Sequence, residues 1–282
     1  MIRLPAIATL AVLLAACTAV PRQEPPAQPR ALRVATLNVY HDAADWPARL
    51  PLIIDGLRAL DADVIALQEV LQTPTLPNQA GTIGAALGYS VQFVSIDPED
   101  QDRRYGNALL TRLPVESRDW TRLAPLDDAR TLGRARVTFD GHPVDVYFTH
   151  LHWRPDGGAI RRQQLDTATD WIRHHGDDAV PALILGDFNA PASAPEFKTL
   201  ADFVDSYGVL HPTADADGAT TLNPQFFPDL RARIDLVFAQ RGRFEIREAR
   251  IVLDVPDASG NWPSDHFGIF VVLQPRASAT SR

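Results

Sequence analysis

Apolar residues crowd into short runs along this chain, and the spacing inside the runs alternates between two periods. Residues 32–40 (LRVATLNVY) are rich in aliphatic and β-branched side chains and predict a strand. In 45–60 (DWPARLPLIIDGLRAL), Leu50, Ile53, Ile54, Leu57 and Leu60 recur at helical spacing. Asp45 can cap that helix, and Pro47 suits its first turn. Residues 63–70 (DVIALQEV) predict a second buried strand. A short helix after Gly81 and a strand at 89–96 follow. Strands come next at 106–113, 133–140 and 143–150, the last two joined by the hairpin signal DGH. Residues 159–174 predict a helix ended by Gly176. The run 182–188 (ALILGDF) is a strand, and 233–240, 245–254 and 266–273 close the fold.

Strands therefore dominate, with helices between some and hairpins between others. That mixture argues against a purely parallel, doubly wound sheet. It predicts two sheets packed face to face with helices outside. No internal repeat and no second linker is visible, so the body, about 32–274, reads as one domain.

The first residues follow another logic. Residues 1–16 carry Arg3 and then an apolar stretch, 7–16, too short to span a bilayer, as in an export signal. The signal ends in LAAC, which resembles the bacterial lipobox. Cys17 is the sole cysteine, so an internal disulfide is excluded and acylation of Cys17 explains it. Residues 17–31 form a Pro-rich, solvated spacer, and 275–282 a frayed tail. The expectation is a monomer, lipid-anchored to a membrane of the cell envelope and facing the periplasm or exterior.

Composition changes this picture little. The chain of 282 residues is 45% hydrophobic and 22% charged, an ordinary globular balance. Its net charge of −8, without a long basic run, disfavours a protein that grips long nucleic acid.

The chemistry lies where the apolar runs stop. Asn38 ends the first strand, Glu69 the second, and His150 the run VYFTH. Asp187 and Asn189 follow LILG, Asp235 lies inside RIDLVF, and Asp265 and His266 precede FGIF. A lone Asp after a strand is usually a turn former or a helix cap. Asp235 has Arg233 or Arg231 as possible partners, and either histidine alone suits a hydrogen-bonded core. The set is what needs explaining, since one metal-assisted site accounts for every member together. Carboxylates with an amide oxygen suit a hard cation, magnesium or manganese. HExxH, GxSxG and P-loop patterns are absent. The fragment TADADG is a turn, because aligning Gly218 to a calcium loop places Pro224 where a bidentate Glu is required.

In order, TLNVY, IALQEV, YGNALLTRLP, FTHLHW, LILGDFNA, RIDLVF and SDHFGI resemble the endonuclease/exonuclease/phosphatase family, the fold of pancreatic-type deoxyribonuclease. The resemblance implies a four-layered α/β sandwich of two packed mixed sheets flanked by helices, with divalent-metal hydrolysis of phosphoesters at one end. It implies Glu69 as main metal ligand, with Asn38 and Asp265 near the metal. Asp187 would orient or deprotonate the attacking water, and Asn189 would hold phosphate or that water. His266, polarised by Asp235, would act as general base or stabilise the transition state. His150 would contact phosphate, Asn107 would support it, and Arg161 with Gln164 would brace the site. Tyr40 departs from the abasic-site branch, which carries an acid there, and His150 likewise stands where that branch has Tyr. Three functions stay open: an envelope phosphodiesterase acting on a lipid head group or small phosphoester, an extracytoplasmic nuclease, and a non-catalytic binding protein. Trp153 and Trp262, near the site motifs, favour the first.

Overall fold

The structure, a computed structural model, describes residues 30–276. The expected signal, Cys17, most of the spacer, and residues 277–282 lie outside the described residues.

The strands form two six-stranded sheets. The first runs, edge to edge, β11 (Phe244–Val252), β12 (Gly268–Pro275), β1 (Leu32–Asn38), β2 (Val64–Gln72), β4 (Arg104–Thr111) and β3 (Ser90–Ser95). The second runs β5 (Val115–Arg122), β6 (Thr131–Phe139), β7 (His142–His150), β8 (Ala182–Asp187), β10 (Asp235–Gln240) and β9 (Phe203–Asp205). Only β1–β2 and β7–β8 pair in parallel. A parallel pair needs a crossover. Helix α1 (Trp46–Leu60) supplies the first and α3 (Gly158–His175) the second.

Side-chain alternation along each strand builds the layers. On β1, Leu32 and Val34 face the seam between the sheets, where they meet Val146, Leu185 and Val237. Ala35 and Leu37 face outward and pack with Ile53 and Leu57 of α1. Helix α2 (Gln79–Leu87) joins that layer through Ile83. On the far side, Leu165 and Ala168 of α3 cover Tyr147, Ile184 and Phe238. The result is the expected four-layered sandwich of two mixed sheets flanked by helices. Among the described residues no helix is long and apolar enough to cross a membrane.

The structure adjusts several expectations. Strand β1 stops at Asn38 because Tyr40 and His41 turn into the left-handed region, at φ 58° and 32°. Strand β5 (VESRDWTR) was not foreseen, since an exposed, charged edge strand carries almost no apolar alternation. The short β9 and the one-turn helix α4 (Ser206–Leu210) were also missed. Asp45 does cap α1, its Oδ1 accepting from the Ala48 N–H at 3.2 Å. Asn78 caps α2, which begins before Gly81.

Gly186 sits opposite Thr149 in the β7–β8 pair at φ 157°. A Cβ there would lie 2.0 Å from the Thr149 carbonyl oxygen. Gly186→Ala must therefore push two central strands apart, and a loss of about 3 kcal/mol is expected from the forced shift. Urea unfolding of the two proteins checks it, and an unchanged midpoint would contradict the close approach.

Candidate functional site

The site begins with a distortion. Between Leu67↔Ala108 and Val70↔Gly106, two residues of β2 oppose one of β4, a β-bulge. Glu69 occupies it at φ 60°. It therefore lies within β2, not at its end as the sequence suggested. Left-handed backbone at a non-glycine costs about 1–3 kcal/mol and persists where the surroundings enforce it. A bulge re-aims a side chain, and here the Glu69 carboxylate faces a cleft of about 840 Å³ at one end of both sheets.

Asp187 is the centre of that end. It terminates β8, and strand register sets His150 beside it on β7 and Asp235 beside it on β10. Its Oδ2 accepts from Asn38 Nδ2 at 3.0 Å, a bond that joins the two sheets. The same oxygen lies 3.4 Å from His150 Nε2 and 3.9 Å from His266 Nδ1. Its Oδ1 accepts from the Asn189 N–H at 2.9 Å. Burial lifts the Asp187 pKa to about 7, and the Asp235 charge adds to the rise.

His266 Nδ1 donates to Asp235 Oδ2 at 2.8 Å, both groups buried. Burial alone would lower the His266 pKa, but the charges of Asp235 and Asp187 override it and hold the imidazole well above its usual value. His150 goes the other way: burial lowers its pKa, helped by the nearby Arg130 cation and His266. The two imidazoles thus differ in kind, one a held cation and one a neutral ring. Asp265 is lifted to about 6, chiefly by burial, with His266 opposing and the Glu69 carboxylate adding to the rise.

Other expected residues take supporting places. Asn38 is spent on both sides: its Nδ2 serves Asp187 and its Oδ1 accepts from the Tyr40 N–H at 3.0 Å. It orients Asp187, with one lone pair left for a cation. Asn189 Nδ2 donates to the Leu151 carbonyl at 3.1 Å, which fixes it in the cleft wall. Asn107 Nδ2 donates to Thr131 Oγ1 at 3.3 Å. Arg161 is paired with Glu196 at 2.8 Å and donates to the Arg154 carbonyl, so its role is bracing. Gln164 accepts from the His152 N–H. Asp235 pairs with His266 and not with Arg233, whose guanidinium goes to Asp205 and Asp215. Asp215, in the rejected calcium fragment, is thus a turn residue with an ion-pair role.

Sequence reasoning missed several contributors. Arg49, on α1, is buried and its Nη1 donates to the Val39 and Pro263 carbonyls, tying the turn after β1 to the SDH segment. Thr221 Oγ1 accepts from the Ile234 and Asp235 N–H groups. Ser264 Oγ donates to the Asn38 carbonyl at 2.6 Å. Tyr105 lines the cleft and hydrogen-bonds Glu69, and burial pushes its pKa far up. Arg130 brings a cation to the same cleft. Each acts through partners distant in sequence, so local pattern held no signal, although Tyr105 and Ser264 stood inside quoted motifs.

Two sets of donors deserve comparison as cation ligands. Asp187, Asp235 and His266 offer atoms within 4.8 Å of one another. His266 Nδ1 is already committed to Asp235, which makes that trio a proton-holding chain. Glu69 and Asp265 face one cleft, and the Glu69 charge adds to the rise at Asp265. Two carboxylates in such a place suit a hard divalent cation.

An acid–imidazole–acid chain thus lies at the shared end of two packed mixed sheets in an α/β sandwich. The chain belongs to the Endonuclease/Exonuclease/phosphatase family, whose model matches residues 35–266. It is 29% identical over 177 residues to the uncharacterized protein YbhP of Escherichia coli K12, covering 56% of this chain and 66% of that protein, just under two thirds. The fold is shared with the catalytic domain of human Nocturnin with bound sulfate, at TM-score 0.70 and 22% identity over 88% of this chain and 96% of that one. It is also shared with D. rerio TDP2 complexed with a single-strand DNA product, at TM-score 0.71 and 18% identity over 86% and 99%.

Proposed function

We propose that this protein is a divalent-metal-dependent phosphodiester hydrolase that drives in-line attack of water on phosphorus. The observation that carries the reading is the buried Asp187–His266–Asp235 chain opening onto the cleft that Glu69 and Asp265 line. Glu69 and Asp265, with the free lone pair of Asn38, would hold magnesium or manganese. When bound, that ion neutralises the phosphate charge and stabilises the leaving oxygen. Asp187 accepts a hydrogen bond from the water and aims it, which is positioning more than basicity. His266, held protonated by Asp235, donates to the phosphoryl oxygen as charge builds there. His150 is a neutral donor beside the same oxygen, and Asn189 fixes the wall that seats it. Arg130 supplies a further cation for the phosphate.

Turnover of bis-p-nitrophenyl phosphate tests this. Activity is expected with magnesium, to fall at least about 100-fold under chelator, and to return when the metal is restored. Metal-independent or absent turnover across several esters would overturn the reading.

The LAAC motif and the solitary Cys17 support an acylated chain tethered in the cell envelope. The mature N-terminus is expected to carry lipid on Cys17. Mass spectrometry of the protein from its membrane fraction checks this, and an unmodified thiol would sink it.

A further inference from the structure

We propose that the cleft is a two-part site, with an apolar trough beside the phosphate position that takes the alkyl chain of an amphiphilic phosphoester. This rests on the hydrolase reading and names its substrate class. The apolar part of the cleft lining comprises Trp153, Pro155, Leu222, Phe227, Leu230 and Ile234. It starts next to the reacting groups: the Phe227 ring stands edge-on to the His266 imidazole, centroids 6.1 Å apart.

Trp153 is 59% exposed and Leu230 52%. Water-exposed apolar bulk flanking a reactive cleft needs a reason. Loose loop packing does not supply one for Trp153, because its neighbours are pinned from below. The His152 N–H donates to Gln164 Oε1 at 2.9 Å, and His152 Nδ1 meets Asp128 Oδ1 at 2.7 Å. Arg161 donates to the Arg154 carbonyl at 2.7 Å and is itself anchored by Glu196. A buried charged network thus holds the loop rigid while the indole stays in water, with only the Arg154 guanidinium over it at 5.3 Å. Trp262 is the contrast: it packs on Phe267 at 5.8 Å and belongs to the loop.

The polar content of the cleft favours a chain over a nucleobase. Among the described residues the lining includes no Ser, Thr, Gln or Lys. Its one amide, Asn189, donates to the Leu151 carbonyl. Base edges are read by groups of those kinds as well as by arginine and carboxylates; the charged groups here gather at the phosphate end, and the apolar part of the lining offers carbon. The arginines of the lining are Arg130, which lies 3.7 Å from Asp128, Arg231, and Arg161, which is taken by Glu196. That suffices for one phosphate, whereas a polynucleotide track needs a basic groove.

The test is calorimetric binding of octyl phosphate, methyl phosphate and adenosine monophosphate to the full chain with magnesium, all below micellar concentration. Octyl phosphate is expected to bind at least about tenfold tighter than methyl phosphate, since each buried methylene adds affinity. The double variant Trp153→Ser, Leu230→Ser is expected to bring that ratio below about three, both residues being exposed enough to leave folding intact. A ratio near one in the unmodified protein, an unchanged ratio in the variant, or tighter binding of adenosine monophosphate overturns the trough. Binding needs no turnover, so the two readings fail separately. A chain-length preference in a protein that hydrolyses no ester removes the hydrolase reading alone, and turnover without the preference removes the trough alone.

Discussion

His266→Ala is expected to lower kcat on bis-p-nitrophenyl phosphate by about 10³, some 4 kcal/mol of transition-state stabilisation. Among the described residues the imidazole lies against both buried acids, at 2.8 Å from Asp235 and 3.9 Å from Asp187. Its removal leaves Asp235 with no side-chain partner, since Oδ1 already lacks one. The lost activity then has two sources: a missing donor at the phosphoryl oxygen, and a buried Asp235 carboxyl left without its hydrogen-bond partner. Circular dichroism of the variant is expected to match the parent. Retention of the parental rate would refute the site assignment. The pH profile carries a second signature. Burial and the Asp235 charge lift the Asp187 pKa to about 7. Below that pH it is neutral and no longer holds water as an anion, so kcat/KM falls as pH drops. A cation near Asp187 favours the carboxylate, so excess magnesium is expected to move this acid limb lower. A limb rising toward acid would contradict the role given to Asp187.

Arg233→Met is expected to cost about 3–5 kcal/mol of stability, the usual result of breaking a buried ion pair on one side. Arg233 is fully buried, with Nη2 2.7 Å from Asp205 and Nε 2.8 Å from Asp215. Its guanidinium also lies over the Tyr207 ring at 4.7 Å. Methionine replaces the volume but leaves Asp205 without its cation. For a body of this size the melting temperature should fall on the order of 10 °C. Asp215→Asn should cost far less, because the Asp215 side chain is 40% exposed and water can replace the pair. Equal losses from the two variants, by thermal unfolding, would show that burial does not set the value of this network.

The architecture was legible because burial writes itself into local sequence. Runs such as LILG and the period of α1 need no partner to be recognised. Asp187, Asp235 and His266 were readable as a set because each interrupts an apolar strand or precedes one. What stayed hidden depends on groups far apart in the chain. Asn38 and Asp187 meet across 149 residues, and Arg49 reaches Pro263 across 214. The bulge that turns Glu69 into the cleft leaves no trace in IALQEV, because left-handed backbone was taken by a glutamate and not by glycine. Arg233 and Asp235 look like partners when written side by side. Arg233 precedes β10, however, and its guanidinium leaves for β9 and the loop beyond α4.

Strand β12 lies between β11 and β1, in the interior of its sheet, although it comes last in chain order among the described strands. Asp265 and His266 arrive immediately before it. On the ribosome, every other named site residue is made first and must wait, with one flank of β1 uncovered, for the final strand to slot in. The proposed site is therefore assembled only when β12 pairs with both of its neighbours.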